Sequence, residues 1–301
     1  MDKDAALLVE ESELGGRRPK GWSRHLLFGL GVAWSLFQLW ATELGTLDPL
    51  RLRAVHLAFA LALAFLAYPG KRGPKDRVPL LDWALALLGA LGALYVVWDY
   101  YGITQLRGGI PSDRDVVMGT LTLLVLFVAS WRVVGPALPI IASVFILYAL
   151  TGPKGLIPYT LPSWLQLHAG SQWGQLMGQL YTTAEGIWGV PLGVSATFVF
   201  LFVLFGALLE KAGAGHFFIQ AAYALLGHFR GGPAKAAVVA SALTGVVSGS
   251  SVSNTVTTGT FTIPLMKRVG YPPEKAGAVE VASSSNGQLM PPVMGAAAFI
   301  M

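Results

Sequence analysis

Six stretches free of Asp, Glu, Lys and Arg, at 26–42, 54–68, 83–98, 116–131, 133–152 and 190–209, constrain this chain more than any other feature. Each approaches the ~20 residues that a helix needs to cross ~30 Å of hydrocarbon. The shorter ones extend by a turn, with Arg and Lys stems reaching back to the headgroups. Trp22, Tyr68, Trp83, Trp98, Tyr100, Tyr101 and Trp131 stand near their ends, the aromatic-belt pattern of membrane helices. Charged residues make up only 12% of the chain, against ~25% in a soluble domain. That excludes an ordinary soluble enzyme and a disordered chain. The expected class is an all-α polytopic membrane protein.

The net charge of +5 would suggest nucleic acid in a soluble protein. Here loops facing the cytoplasm and its anionic lipid account for it, so lipid is an expected partner and nucleic acid is not. With the N-terminus inside and six spans threaded in turn, Arg51, Arg53, Arg107, Arg114 and Lys154 fall outside and the other sixteen of the 21 basic residues inside. Arg132 then marks a tight inside turn. Residues 1–25 carry charges of both signs and read as a cytoplasmic segment, not a secretory signal. The absence of cysteine excludes disulfides and thiolate chemistry. Between 154 and 190 the sequence turns to Gly, Gln, Ser and Pro, expected as an extramembrane loop with one or two interfacial turns. His168 stands in it without a partner at metal-ligand spacing.

The segment 236–266 is uncharged over 31 residues, ~46 Å as one helix and too long for the bilayer core. The polar run SGSSVSN at 248–254 divides it into arms at 236–247 and 255–266, each ~18 Å, and neither crosses alone. A re-entrant hairpin satisfies both facts, and it puts Lys235 and Lys267 on one face. Irregular backbone at membrane depth survives only inside protein or beside water. Carbonyls closing one arm, with serine hydroxyls, suit a hard cation such as Na⁺, and N–H groups opening the next suit an anion. A second polar run, SSSNG at 283–287 before MPP at 290–292, breaks another apolar segment, as in the discontinuous helices at transporter midplanes. The expected ion and substrate residues are Ser248, Gly249, Ser250, Ser251, Asn254 and Thr257, faced across a cavity by Ser284, Ser285, Asn286 and Gly287. Glu280 is expected as an interfacial carboxylate paired with Lys275 or Lys267, with a proton or ion site as the alternative. Na⁺ at these residues is the expected coupling ion, with no other metal, no cofactor and no catalytic residue.

The motifs FGALLEKAG at 205–213, GHFRGGP at 227–233, ALTGVVSGSSVSN at 242–254, PLMKRVGY at 264–271 and MPPVMGAAAFIM at 290–301 resemble the large membrane subunit of TRAP (tripartite ATP-independent periplasmic) transporters. Ser253, Asn254 and the threonines after the tip resemble the branch in which small and large subunits are fused. The resemblance implies a small-subunit-like four-helix domain at 26–132. It implies the start of a large-subunit-like transport domain at 133–301, made of two spans, a hairpin at 234–268 and a broken helix at 273–301. It further implies an elevator-type transporter half in the bacterial inner membrane, driven by Na⁺ and taking organic anions from a periplasmic substrate-binding protein. The family's second inverted half is not in this sequence, so a fragment inactive by itself is expected. A purely structural membrane scaffold is the alternative; it explains the spans but not the polar breaks. An embedded enzyme would need intramembrane acids or metal-ligand spacings, and the spans offer only His56 and Glu280. No phosphate-binding glycine motif supports ATP drive.

Overall fold

The computed structural model describes residues 16–294 except 18, 44, 46, 71–72, 160–161, 163 and 292. Residues 1–15 of the expected N-terminal segment and 295–301 of the expected broken helix lie outside the described residues. Contacts divide the chain between Ala196 and Thr197 into two compact units. The expected four-helix segment at 26–132 and the next span share the first of these.

In the N-terminal unit, α1 (Trp22–Glu43), α2 (Pro49–Ala67), α3 (Leu80–Trp98) and α4 (Asp113–Val133) are long and apolar enough to cross a membrane. The Asp48 carboxylate accepts from the Leu50 N–H (2.8 Å) and Pro49 takes the first turn, which starts α2. A reciprocal capping box between Ser112 and Asp115 starts α4. The expected tight turn after Arg132 is present, with Gly135 at φ +105° and Pro136 leading into α5 (Ala137–Leu150). Because that turn takes up 134–136 and Thr151 forms a bridge with Ile157, α5 has 14 residues, ~21 Å. The expected fifth span, the run at 133–152, is therefore a shorter helix. Ala54, Leu61 and Phe65 of α2, Ala93 and Val96 of α3, and Val125 and Ala129 of α4 form the core.

Ion pairs close both ends of this unit. At one, buried Arg17 pairs with Asp82 and donates to the Phe65 (2.9 Å) and Pro74 (3.1 Å) carbonyls, and Arg132 reaches Asp82 at 2.7 Å. At the other, Arg107 holds Asp99 (2.5 Å) and Asp115 (3.0 Å), and Arg51 lies 4.0 Å over the Tyr100 ring. Helix ends are thus grouped in the up-and-down order that the charge threading requires. The stretch 154–190 departs from expectation. It carries α6 (Trp173–Met177) and a π turn, Gly178–Thr182, and its Met177, Tyr181, Thr182 and Trp188 are buried. The Tyr181 hydroxyl donates to the Gly92 carbonyl (2.5 Å), and Trp188 Nε1 donates to the Tyr181 carbonyl (2.6 Å). Aromatic rings with polar tips bury well where a carbonyl meets the tip, so 177–188 is core, while the stretch around Tyr159, Trp164 and Leu167 is exposed as a loop would be.

A helical run comprising α7 (Val190–Val194), a π turn and α8 (Phe200–Lys211) leads into the C-terminal unit. There α9 (Ala214–Leu226), absent from the sequence expectation, packs Ile219 and Ala222 on Ala240. Next come α10 (Gly232–Ser248), α11 (Ser251–Arg268), α12 (Pro273–Ser284) and a 3₁₀ turn, Ser285–Gln288. The described residues contain helices and no strand, as an all-α polytopic membrane protein requires. The hairpin is α10 and α11, but its arms have 17 and 18 residues, ~26 Å each, well beyond the expected 12. Its break is only Gly249 and Ser250. Gly249 adopts φ +62° to end α10, and the Ser250 side chain accepts from the Ser253 N–H to start α11. Ser251 to Asn254, expected in the break, form the first turn of α11.

Candidate functional site

Three helices each present a column of inward residues spaced about four apart, the repeat that places side chains on one face. From α10 come Ala237, Ser241 and Gly245; from α11 Asn254, Thr258, Thr262 and Met266; from α12 Ala276, Glu280 and Ser284. Ala237, Met266 and Ala276 close the base with an apolar cluster. The column residues between that cluster and the tip are polar or glycine.

Asn254 is the centre of this column and is completely buried. Its Nδ2 donates to the Ser241 carbonyl (2.8 Å) and to Ser241 Oγ (3.0 Å), which ties the two arms together. A carbonyl only accepts, so the amide nitrogen must face Ser241 and Oδ1 must face away. That buried Oδ1 has no hydrogen-bond partner among the described residues. A buried acceptor left unmet costs ~1–3 kcal/mol, and the cation or donor that fills it recovers that cost. Glycines bring the elements within reach. A Cβ on Gly245 would stand 2.9 Å from Gly287 Cα, and one on Gly287 would stand 3.1 Å from the Ser250 carbonyl and 3.3 Å from Asn254 Nδ2.

The expected site residues are therefore sorted. Ser248 closes the first arm, its hydroxyl donating to the Ser250 carbonyl (3.3 Å). Gly249 and Ser250 form the tip, and Gln288 Nε2 reaches Ser251 Oγ at 3.1 Å. Asn254, Gly287 and buried Ser284 meet within the column. Thr257 is only half-buried, and its neighbour Thr258 holds the inward position. Ser285 and Asn286 are exposed, Ser285 bonding back to the Val281 carbonyl. The 3₁₀ turn carries both out of the column, so they do not face Asn254.

Glu280 corrects the sequence expectation most. It is fully buried, and among the described residues neither Lys275, Lys267 nor any other cation pairs with it. Thr258 and Thr262 donate to its two oxygens, and Ser284 Oγ lies 3.1 Å from Oε1. About two turns into α12, the side chain points into the column, while Lys267 and Lys275 are exposed. Ser241, Thr258, Thr262 and Gly245 were also missed. Their signal was present as the four-residue spacing 241/245, 254/258/262 and 280/284. Among the described residues no group of His, Asp and Glu could hold a metal through side chains of that kind.

No solved structure matches the chain. Over 91 residues it is 37% identical to the C4-dicarboxylate TRAP transporter large permease protein DctM of Rhodobacter capsulatus, covering 30% of this chain and 21% of the relative. The protein of the same name from Pseudomonas aeruginosa gives the same identity and coverage. Over 146 residues it is 27% identical to the ectoine TRAP transporter large permease protein TeaC of Halomonas elongata, covering 47% and 34%. The chain thus matches about a fifth of the length of the first two. Residues 121–301, which include the whole polar column, match the family described as the tripartite ATP-independent periplasmic transporter, DctM component, and the chain belongs to that family of transporter permeases.

Proposed function

We propose that this chain supplies the hairpin of a secondary, Na⁺-coupled carrier that imports organic anions delivered by a periplasmic substrate-binding protein. The observation that carries the reading is the unpartnered Asn254 Oδ1, buried where two helix arms and a 3₁₀ turn meet. A neutral amide oxygen, the carbonyls ending α10 and the hydroxyls of Ser248, Ser250 and Ser251 form an oxygen set suited to a hard monovalent cation. The N–H groups opening α11 suit a carboxylate. Thr257, Ser284 and Gly287 border this set; Ser285 and Asn286 belong to it only if the 3₁₀ turn rotates. The relatives named for C4-dicarboxylates support a carboxylate substrate.

In this reading residues 26–132 are the small-subunit part of a fused permease, and the hairpin unit moves elevator-fashion against a scaffold. The chain lies in the bacterial inner membrane with its N-terminus cytoplasmic, and the remainder of the family's length completes the site. No chemistry on the substrate is required. The test is uptake into liposomes by the full-length carrier with its binding protein, offered radiolabelled organic anions beginning with a C4-dicarboxylate. Uptake is expected to need an inward Na⁺ gradient, and Ser250→Ala is expected to raise the Na⁺ concentration required. Uptake indifferent to Na⁺ would contradict the coupling. Unchanged Na⁺ dependence in alanine variants of Ser248, Ser250 and Ser251 would reduce the tip to a capping turn.

A further inference from the structure

The oxygen set at the tip is electrically neutral and makes no use of Glu280. Yet a fully buried carboxylate without a cationic partner is costly in a membrane. What holds it is a set of hydroxyls: Thr258 and Ser284 at one oxygen, Thr262 at the other. Ser284 Oγ lies 3.0 Å from Ser241 Oγ, and Ser241 Oγ lies 3.0 Å from Asn254 Nδ2. Proton supply gives this chain a direction. A carboxylate oxygen accepts, so the Ser284 hydroxyl donates to it. Ser284 Oγ then receives from Ser241, and Ser241 Oγ receives from Asn254. The second amide hydrogen goes to the Ser241 carbonyl. Both hydrogens of the Asn254 amide are thus spent on the Glu280 side, and the amide oxygen is turned away from it with no partner.

We propose that Glu280 is the positioning residue and the fixed negative charge of a cation site at Asn254, acting through Ser284 and Ser241. This rests on the reading of Asn254 as part of the Na⁺ site. The relay does two things. It locks the amide in one orientation, as outer partners lock the ligands of a metal. It also polarises the chain of dipoles so that negative charge accumulates at Oδ1, because aligned hydrogen bonds in a dry interior strengthen one another. The carboxylate adds an attraction that water does not screen. A cation arriving at Asn254 supplies the counter-charge that no side chain among the described residues provides.

The test is binding of radioactive sodium to the purified full-length protein, with affinity and number of sites measured separately. Glu280→Gln is expected to weaken binding by about tenfold or more at an unchanged number of sites and unchanged unfolding temperature. A merely structural loss would remove sites instead. Ser241→Ala, which cuts the relay and leaves the charge, is expected to weaken binding by about threefold. Thr260→Ala, whose hydroxyl bonds the Thr257 carbonyl outside the relay, leaves it unchanged. If wild type binds sodium and Glu280→Gln binds it equally, the inference is overturned while the site stands. If Glu280→Gln does not fold, Ser241→Ala decides, and equality with Thr260→Ala overturns the inference. If wild type binds no sodium, the reading of Asn254 as a Na⁺ ligand fails first, and this inference with it.

Discussion

The two units bury polar groups in opposite ways. In the N-terminal unit, charge meets charge at the helix ends, Arg17 and Arg132 on Asp82 and Arg107 on Asp99 and Asp115. Between those ends the interior is large and mostly apolar, with Phe65, Tyr181 and Trp188 completely buried; Gln38, His56 and Thr122 are among its scattered polar members, and Gln38 Oε1 has no partner among the described residues. In the C-terminal unit the apolar clusters are small, Ile219, Ala222 and Ala240 in one and Ala237, Met266 and Ala276 in another. The polar groups lie mid-helix, matched hydroxyl to carboxylate and amide to hydroxyl, and one acceptor is left over. Ion pairs at helix ends and a wide aromatic core fix a shape. In the proposed reading, a column of hydroxyls with an unfilled oxygen reserves a place for a ligand and costs stability to keep.

The largest expected effect tests the first half of that contrast. Asp82→Ala leaves two guanidinium groups, one of them fully buried, without their anion, and should cost ~3–5 kcal/mol in chemical unfolding of the protein in detergent. An equal loss from Glu280→Gln would break the contrast, because the Gln oxygen still accepts from hydroxyls on one side and on the other its NH2 can donate to Thr262, whose own hydrogen has the Thr258 carbonyl at 3.0 Å. Next is Gly245→Val, which drives a side chain into Gly287 Cα. It should cost ~1–3 kcal/mol and weaken sodium binding in the same sample; unchanged stability would mean that the hairpin does not rest on the 3₁₀ turn. Tyr181→Phe removes one hydrogen bond, to the Gly92 carbonyl, at ~0.5–1.5 kcal/mol. The smallest energetic effect comes from Lys235→Cys and Lys267→Cys, in a chain that has no cysteine of its own. Both should be labelled from the same face of the membrane. Labelling from opposite faces would dismantle the hairpin and sharpen nothing else.

Long apolar runs made α1 to α4 and the run into α8 legible, because length and absence of charge suffice when the solvent is lipid. The hairpin was legible from a length too great for one span and a polar middle. Its arms came out too short because Ser251 to Asn254 were assigned to the turn by residue type. Gly249 and Ser250 make the turn by themselves, and Asn254 is spent across the arms on Ser241. The segment around Tyr181 and Trp188 was misplaced for a related reason. Its Gly and Gln content reads as loop, while the burial of its Tyr181 ring depends on Gly92 and Gly119 of other helices. Glu280 was misassigned because charge near Lys275 in sequence suggests a pair, whereas helix phase turns the two to different faces. Its phase against Ser284 was readable; its partners on α11 were not, since which columns meet is decided by packing.

The most direct test of the contrast is the Na⁺ dependence of uptake by Asn254→Ala in the full-length carrier, reconstituted with its binding protein. The expected result is that half-maximal uptake requires about tenfold more Na⁺ while the amount of inserted protein and its unfolding temperature stay close to wild type. An Asn254→Ala carrier with wild-type Na⁺ dependence would contradict the reading, since the buried Oδ1 without a partner among the described residues would then have no ligand to wait for.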